Sequence, residues 1–167
     1  ISGDSTSQGI HVLQAHEKSF LKWTSFSGLN TLRQSGWSLT GAVTFYESNV
    51  NIQHCIFEHN HCEDALNIIR SNFTLSESLI QHTFSDGFDG DFCKGKITNS
   101  TFKNTNNDCI DFSGSTISIQ NCKINNAGDK ALSGGEKSTI YVQNIRINNA
   151  NIGIASKDLS KIKIKSS

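Results

Sequence analysis

From Gly41 to about Ile164 the chain repeats itself roughly every 22 residues, and no other feature limits its fold as strongly. Repeat starts aligned at Gly41, Asp64, Asp86, Asp108, Asp129 and Asn151 are spaced by 23, 22, 22, 21 and 22 residues. A fixed period in this range signals a solenoid, in which each repeat buries its apolar face only against its neighbours. The second and fourth positions after each start hold Val43 and Phe45, Leu66 and Ile68, Phe88 and Gly90, then Ile110 and Phe112. The ninth and eleventh hold Val50 and Ile52, Phe73 and Leu75, then Ile117 and Ile119. The sixteenth holds Phe57, Ile80, Phe102, Ile124 and Ile145. These are short alternations of β-branched and aromatic residues with polar ones, a strand period rather than a helical one. Three short strands per repeat describe one coil of a parallel β-helix, all-β, with about six coils. Equivalent residues of successive coils then stack about 4.8 Å apart, so each outward position becomes a ladder.

One such ladder is His59, His82, Asn104, Asn126 and Asn149, and a second is Asn99, Asn121 and Asn144. Stacked amides at turns satisfy the backbone and one another, a structural role. Residues 1–40 read as an N-terminal cap and irregular first coil, rich in aromatics (Phe20, Trp23, Phe26, Trp37). Residues 41–167 read as the repeats, one continuous domain. Lys157, Lys161, Lys163 and Lys165 surround Ile162 and Ile164 at the far end, where charge blocks strand pairing. The chain has neither Met nor Pro, and is expected to be part of a longer polypeptide.

Net charge is zero, which gives no reason to expect a nucleic-acid partner. No stretch approaches the ~18 apolar residues of a membrane span. The charge is nevertheless polarised. Ten Asp/Glu face four Lys/Arg before Lys94, and five face eleven from Lys94 onward. In a solenoid sequence order is spatial order, so a dipole along the axis is expected. The five cysteines lack Cys-x-x-Cys spacing and fit neither a disulfide framework nor a zinc ribbon. Cys55 and Cys122 share a repeat offset beside apolar positions and read as small buried hydrophobes. His54, Cys55, His59, His61 and Cys62 have metal-binding side chains, but the ladder already accounts for His59.

The repeat starts Asp64, Asp86, Asp108 and Asp129 form an acidic row. Three residues further on, Asn67, Asp89 and Asp111 lie between inward positions and therefore point outward. Asp91 and Glu136 add to that face, and Lys130 follows Asp129 directly. Carboxylates stacked about 5 Å apart repel, and something must offset the repulsion. Ca²⁺ would, through oxygen ligands from Asp86, Asp89, Asp91, Asp108 and Asp111. A raised pKa on one member would too, and Asp89 with Asp111 offers the carboxylate pair of glycosidic hydrolysis. The competing reading of the repeat-start row is architectural, because Asp at a strand start caps a turn.

The repeat, the Asn rows and strings such as Asn99-Ser-Thr-Phe and Asn121-Cys-Lys-Ile resemble the right-handed parallel β-helix repeats of the pectate-lyase-like superfamily. The resemblance covers about residues 41–164. It implies a right-handed coil and a secreted or cell-surface protein that binds polysaccharide along an elongated face. Ser85-Asp86-Gly87 is similar to the Asn-Thr-Asp-Gly of polygalacturonases, and Asn107-Asp108-Cys109 to their Asp-Asp. Lys130 stands where that family has a His, and Ile162-Lys163 matches part of its Arg-Ile-Lys. Calcium-dependent polysaccharide lyases use Lys or Arg as base, and Lys130, Lys157 and Arg70 are the residues available for that role. The expected function is thus a polysaccharide-recognition module whose ligand face comprises Asp86, Asp108, Asp129, Arg70 and Glu136, with Ca²⁺ as a cofactor. The enzymatic alternative, a lyase or a polygalacturonase-like hydrolase, assigns catalysis to Asp89, Asp111 and Lys130. A structural spacer without ligand is the third expectation.

Overall fold

A computed structural model describes residues 1–4, 6–34 and 37–165, and over them the chain is an all-β parallel solenoid. The first coil is β1 (Ile10–Leu13), β2 (Ser19–Lys22) and β3 (Ser25–Ser27). An antiparallel hairpin follows, β4 (Leu32–Gln34) with β5 (Trp37–Leu39). The next coils are β6 (Gly41–Tyr46), β7 (Val50–Gln53) and β8 (Ile56–Glu58), then β9 (Asp64–Ile69), β10 (Asn72–Ser76) and β11 (Leu79–Thr83). After them come β12 (Asp86–Asp91), β13 (Lys94–Thr98) and β14 (Thr101–Thr105), then β15 (Ile110–Ser113) and β16 (Thr116–Gln120). The chain ends in β17 (Lys123–Gly135), β18 (Thr139–Gln143), β19 (Arg146–Ser156) and β20 (Lys161–Lys165). No helix long and apolar enough to cross a membrane occurs among the described residues.

The coils stack in three faces. The first sheet runs β1-β6-β9-β12-β15, continuing into the second halves of β17 and β19. The second is the seven-stranded β2-β7-β10-β13-β16-β18-β20, which spans about six turns. The third is β3-β8-β11-β14, continuing into the first halves of β17 and β19. These two strands pass from the third sheet into the first without a break, and so join both into one eleven-stranded sheet. The stretch read as cap and irregular coil thus supplies one strand to each face, in register with β6, β7 and β8. The side chain of Trp37 lies outside the described residues.

Inward positions fall where the alternation puts them. Leu66, Phe88 and Ile110 are register partners, as are Phe57, Ile80, Phe102 and Ile124. All are at most 1 % exposed. Phe88 meets Phe73 and Phe112 edge to face, with centroids 5.1 and 5.3 Å apart, the favourable quadrupolar arrangement. The inward position 90 holds a glycine because the Phe112 ring occupies the space a Cβ would need. One assignment moves: Ile147, not Ile145, pairs with Ile124. Ile145 instead follows Cys122 in the turn column, because the connection to the last coil is one residue longer there than the period of 22.

The turns explain much of the polar sequence. Every non-glycine residue with positive φ among those described sits at one of the three corners. One column is Glu47, Arg70, Phe92 and Glu136, the second His54, Glu77, Asn99, Asn121 and Asn144, and the third His59, His82, Asn104, Asn126 and Asn149. The left-handed conformation costs an L-residue roughly 1–2 kcal/mol, least for Asn, whose amide bonds locally. Here the amides also bond along the axis, Asn126 donating to Asn104 at 2.8 Å and Asn149 to Asn126 at 2.9 Å. A small polar residue follows the left-handed one. The backbone N–H of Ser48, Cys93 and Ser115 donates to Oγ of Ser71, Ser115 and Ser138 on the next coil. Cys55 and Ser78 do the same to Ser78 and Ser100. Cys55, Cys93 and Cys122 therefore stand in serine columns, buried, with their thiols on backbone carbonyls.

The charge separates across the solenoid as well as along it. From Lys94 onward every acid (Asp108, Asp111, Asp129, Glu136, Asp158) lies in the first sheet or in a turn flanking it. The second and third sheets of the same coils carry cations alone among their charged residues.

Candidate functional site

The outward side of the first sheet carries a polar file, in part buried. His11, Thr44, Asn67, Asp89, Asp111 and Ser133 are successive register partners. At about 4.8 Å per strand the file is about 24 Å long. Thr44, Asn67 and Ser133 are 0, 1 and 0 % exposed. The Asn67 amide donates to Asp89 Oδ2 at 2.8 Å. Among the described residues, every buried side-chain N or O atom without a partner lies on this file: both ring nitrogens of His11, Asn67 Oδ1, Asp111 Oδ1 and Ser133 Oγ. Buried polar groups are normally satisfied, so their concentration on one ladder marks a place built for something polar.

The neighbouring row settles part of the repulsion by itself. The Asp108 N–H donates to Asp86 Oδ1, and the Lys130 N–H to Asp108 Oδ1, both at 2.9 Å. These aspartates brace the next coil, which is the architectural role. The row runs Asp64, Asp86, Asp108, Lys130. Asp129, expected in it, falls one residue short, because the chain shifts register between Ala127 and Lys130. Lys130 Nζ lies 3.3 Å from Asp108 Oδ1 and also bonds Asp129. The Asp129 hydrogen bond leads in raising its pKa, which keeps the ammonium charged. A base must first be neutral, so this pairing works against the expected base role of Lys130.

Burial pushes the Asp89 carboxyl up to about 9, with the charges of Asp64, Asp91, Asp111 and Asp86 adding to it. Burial likewise pushes Asp64 to about 7, against the Thr40 hydroxyl and with Asp86, Glu63 and Asp91. Asp86, Asp91 and Asp108 shift upward too, burial again leading. Asp89 therefore holds a proton at neutral pH. Either that proton or a cation can relieve the file.

The remaining expected residues sit on the rim. Arg70 bonds the Tyr46 hydroxyl at 3.2 Å, lies 3.8 Å from Glu47, and stands over the Phe92 ring at 5.8 Å. Glu136 is exposed at the same corner, and its charge raises Asp91. His54 stacks on Trp23 at 3.9 Å and pairs with Glu77, while Cys55 and Cys62 are buried apart from it. No three His, Cys, Asp or Glu side chains gather as a metal group among the described residues. A hard cation on the file would instead sit between the register partners Asp89 and Asp111, one strand spacing apart, since Asn67 and Ser133 stand about 14 Å from each other and cannot both reach one ion. That all-oxygen pair suits Ca²⁺. Asp86 and Asp108, two of the expected ligands, already give an oxygen each to the backbone.

Sequence reasoning left His11, Thr44 and Ser133 out of the site. Ser133 was hidden by the 21-residue interval before Asp129, and His11 by its place ahead of the visible repeat. Two aromatics were also passed over. Phe84 and Phe92, 64 and 53 % exposed, bracket the acidic strand β12. Scanned against family models and against curated protein sequences, the chain matches none.

Proposed function

We propose that the first sheet recognises a polysaccharide, with Ca²⁺ joining the acidic file to anionic groups of the sugar. The observation that carries this reading is the construction of β12, which presents Asp86, Asp89 and Asp91 between the exposed rings of Phe84 and Phe92. The rings lie at most about 26 Å apart along an extended chain. They offer apolar platforms for pyranose faces, while the oxygens between them suit a cation or sugar hydroxyls. The calcium part is supported by the unpartnered oxygens on the file. A protein that works this way is expected at the cell surface or outside it, as part of a longer chain.

The test is equilibrium binding to polygalacturonate in Ca²⁺ and in chelator. Ca²⁺-dependent binding is expected, with the Phe84→Ala/Phe92→Ala double variant weakened at least tenfold. Equal binding by wild type and variant would contradict the reading.

One observation favours a second reading, hydrolysis. Asp89 is held protonated beside its register partner Asp111, one strand spacing of about 4.8 Å away. A neutral acid beside a second carboxyl is the arrangement of a glycosidase pair. Release of new reducing ends from polygalacturonate, abolished in Asp89→Asn, would establish it.

A further inference from the structure

We infer that the third sheet of the last coils carries a separate oxyanion site, centred on Lys123 and Arg146, for the carboxylate or sulfate groups of an acidic glycan. The inference rests on the sugar reading above but uses the opposite charge and a different face. Lys123 and Arg146 are register partners on β17 and β19, and both are exposed. Like charges directly opposite each other on neighbouring strands destabilise a sheet. Glu77 pairs with His54 and Glu47 with Arg70, yet no acid lies within ion-pair distance of Lys123 or Arg146 among the described residues. No acid stands on the second or third sheet anywhere from Lys94 onward.

The pair borders a depression of about 560 Å³ that also reaches the ladder amides of Asn121 and Asn144. An oxyanion seated there would meet a planar guanidinium fork and an ammonium one strand spacing apart. It would cancel the repulsion that the fold leaves standing. On the adjacent second sheet Tyr141, 46 % exposed, carries Lys163 across its ring at 5.3 Å, so the cationic face continues past the depression. A uronate chain is the ligand whose carboxylates suit both this pair and a calcium-loaded acidic file.

The experiment measures binding in chelator, where the first sheet has no calcium. The probes are polygalacturonate, dextran sulfate, neutral dextran and single-stranded DNA. Wild type is expected to bind one or both anionic glycans, more weakly as salt rises, and to ignore neutral dextran. Which of the two it prefers separates carboxylate from sulfate. Lys123→Gln/Arg146→Gln should lose at least tenfold in affinity while keeping the melting temperature and the calcium-dependent binding. Lys18→Gln/Lys22→Gln, on the first coil, should bind as wild type. Undiminished binding by the Lys123/Arg146 variant, an equal loss in the Lys18/Lys22 variant, or tighter binding of DNA than of either glycan would overturn the inference. Failure of the first-sheet reading would show separately, as indifference to Phe84→Ala/Phe92→Ala in calcium.

Discussion

Asp89 concentrates the electrostatic problem of this molecule in one side chain. Its carboxyl is pushed to about 9 and that of Asp64 to about 7, against an ordinary 3.8. The folded protein therefore keeps protons that the unfolded chain has released. The stability these groups contribute is complete below about pH 4 and is lost as pH rises toward about 9. In chelator the melting temperature is expected to fall on going from pH 5 to pH 9. Asp89→Asn, which keeps the shape and removes the charge, should flatten that fall and raise the melting temperature at pH 8. A variant with the wild-type pH profile would show that Asp89 does not carry the proton. The outward aim of Asp89 and Asp111 was legible from the alternation alone. Their partial burial was not, because burial on the outer side of a sheet depends on how the strand bends and on what flanks it.

At the scale of the coil, the turns decide the sequence as much as the core does. Asn126 holds a left-handed backbone while accepting from Asn149 and donating to Asn104. Asn126→Ala loses both bonds and the tolerance for positive φ, and should cost about 2 kcal/mol. Asn126→Gly restores the backbone freedom, and should recover about half of that loss. Chemical denaturation measures both, and equal losses would assign the whole effect to the amide ladder. These Asn rows were readable because they repeat one residue type. The serine columns were less so, because Cys55, Cys93 and Cys122 interrupt them with a different residue in the same role. The same limit explains Asp129 and Ile145, where one residue more or less in a turn moved the register while the apolar pattern continued unchanged.

For the whole molecule, stacking converts sequence position into surface. The period placed all three faces and made the first sheet the acidic one. The polarised sequence predicted a dipole along the axis, and from Lys94 onward the strands add a second division across it, with acids confined to the first sheet and its flanking turns and none on the other two. That transverse division needs the assignment of each residue to a face, which is clear only once the coils are in register. The central claim is that the acidic file of the first sheet is made for a cation. The most direct test is the melting temperature in Ca²⁺ and in chelator, measured at pH 5 and at pH 9. Differential affinity for the folded state should raise it by several degrees at pH 9, and by much less at pH 5, where protons already occupy Asp64 and Asp89. A melting temperature indifferent to Ca²⁺ at both pH values would contradict the claim and leave the file as architecture.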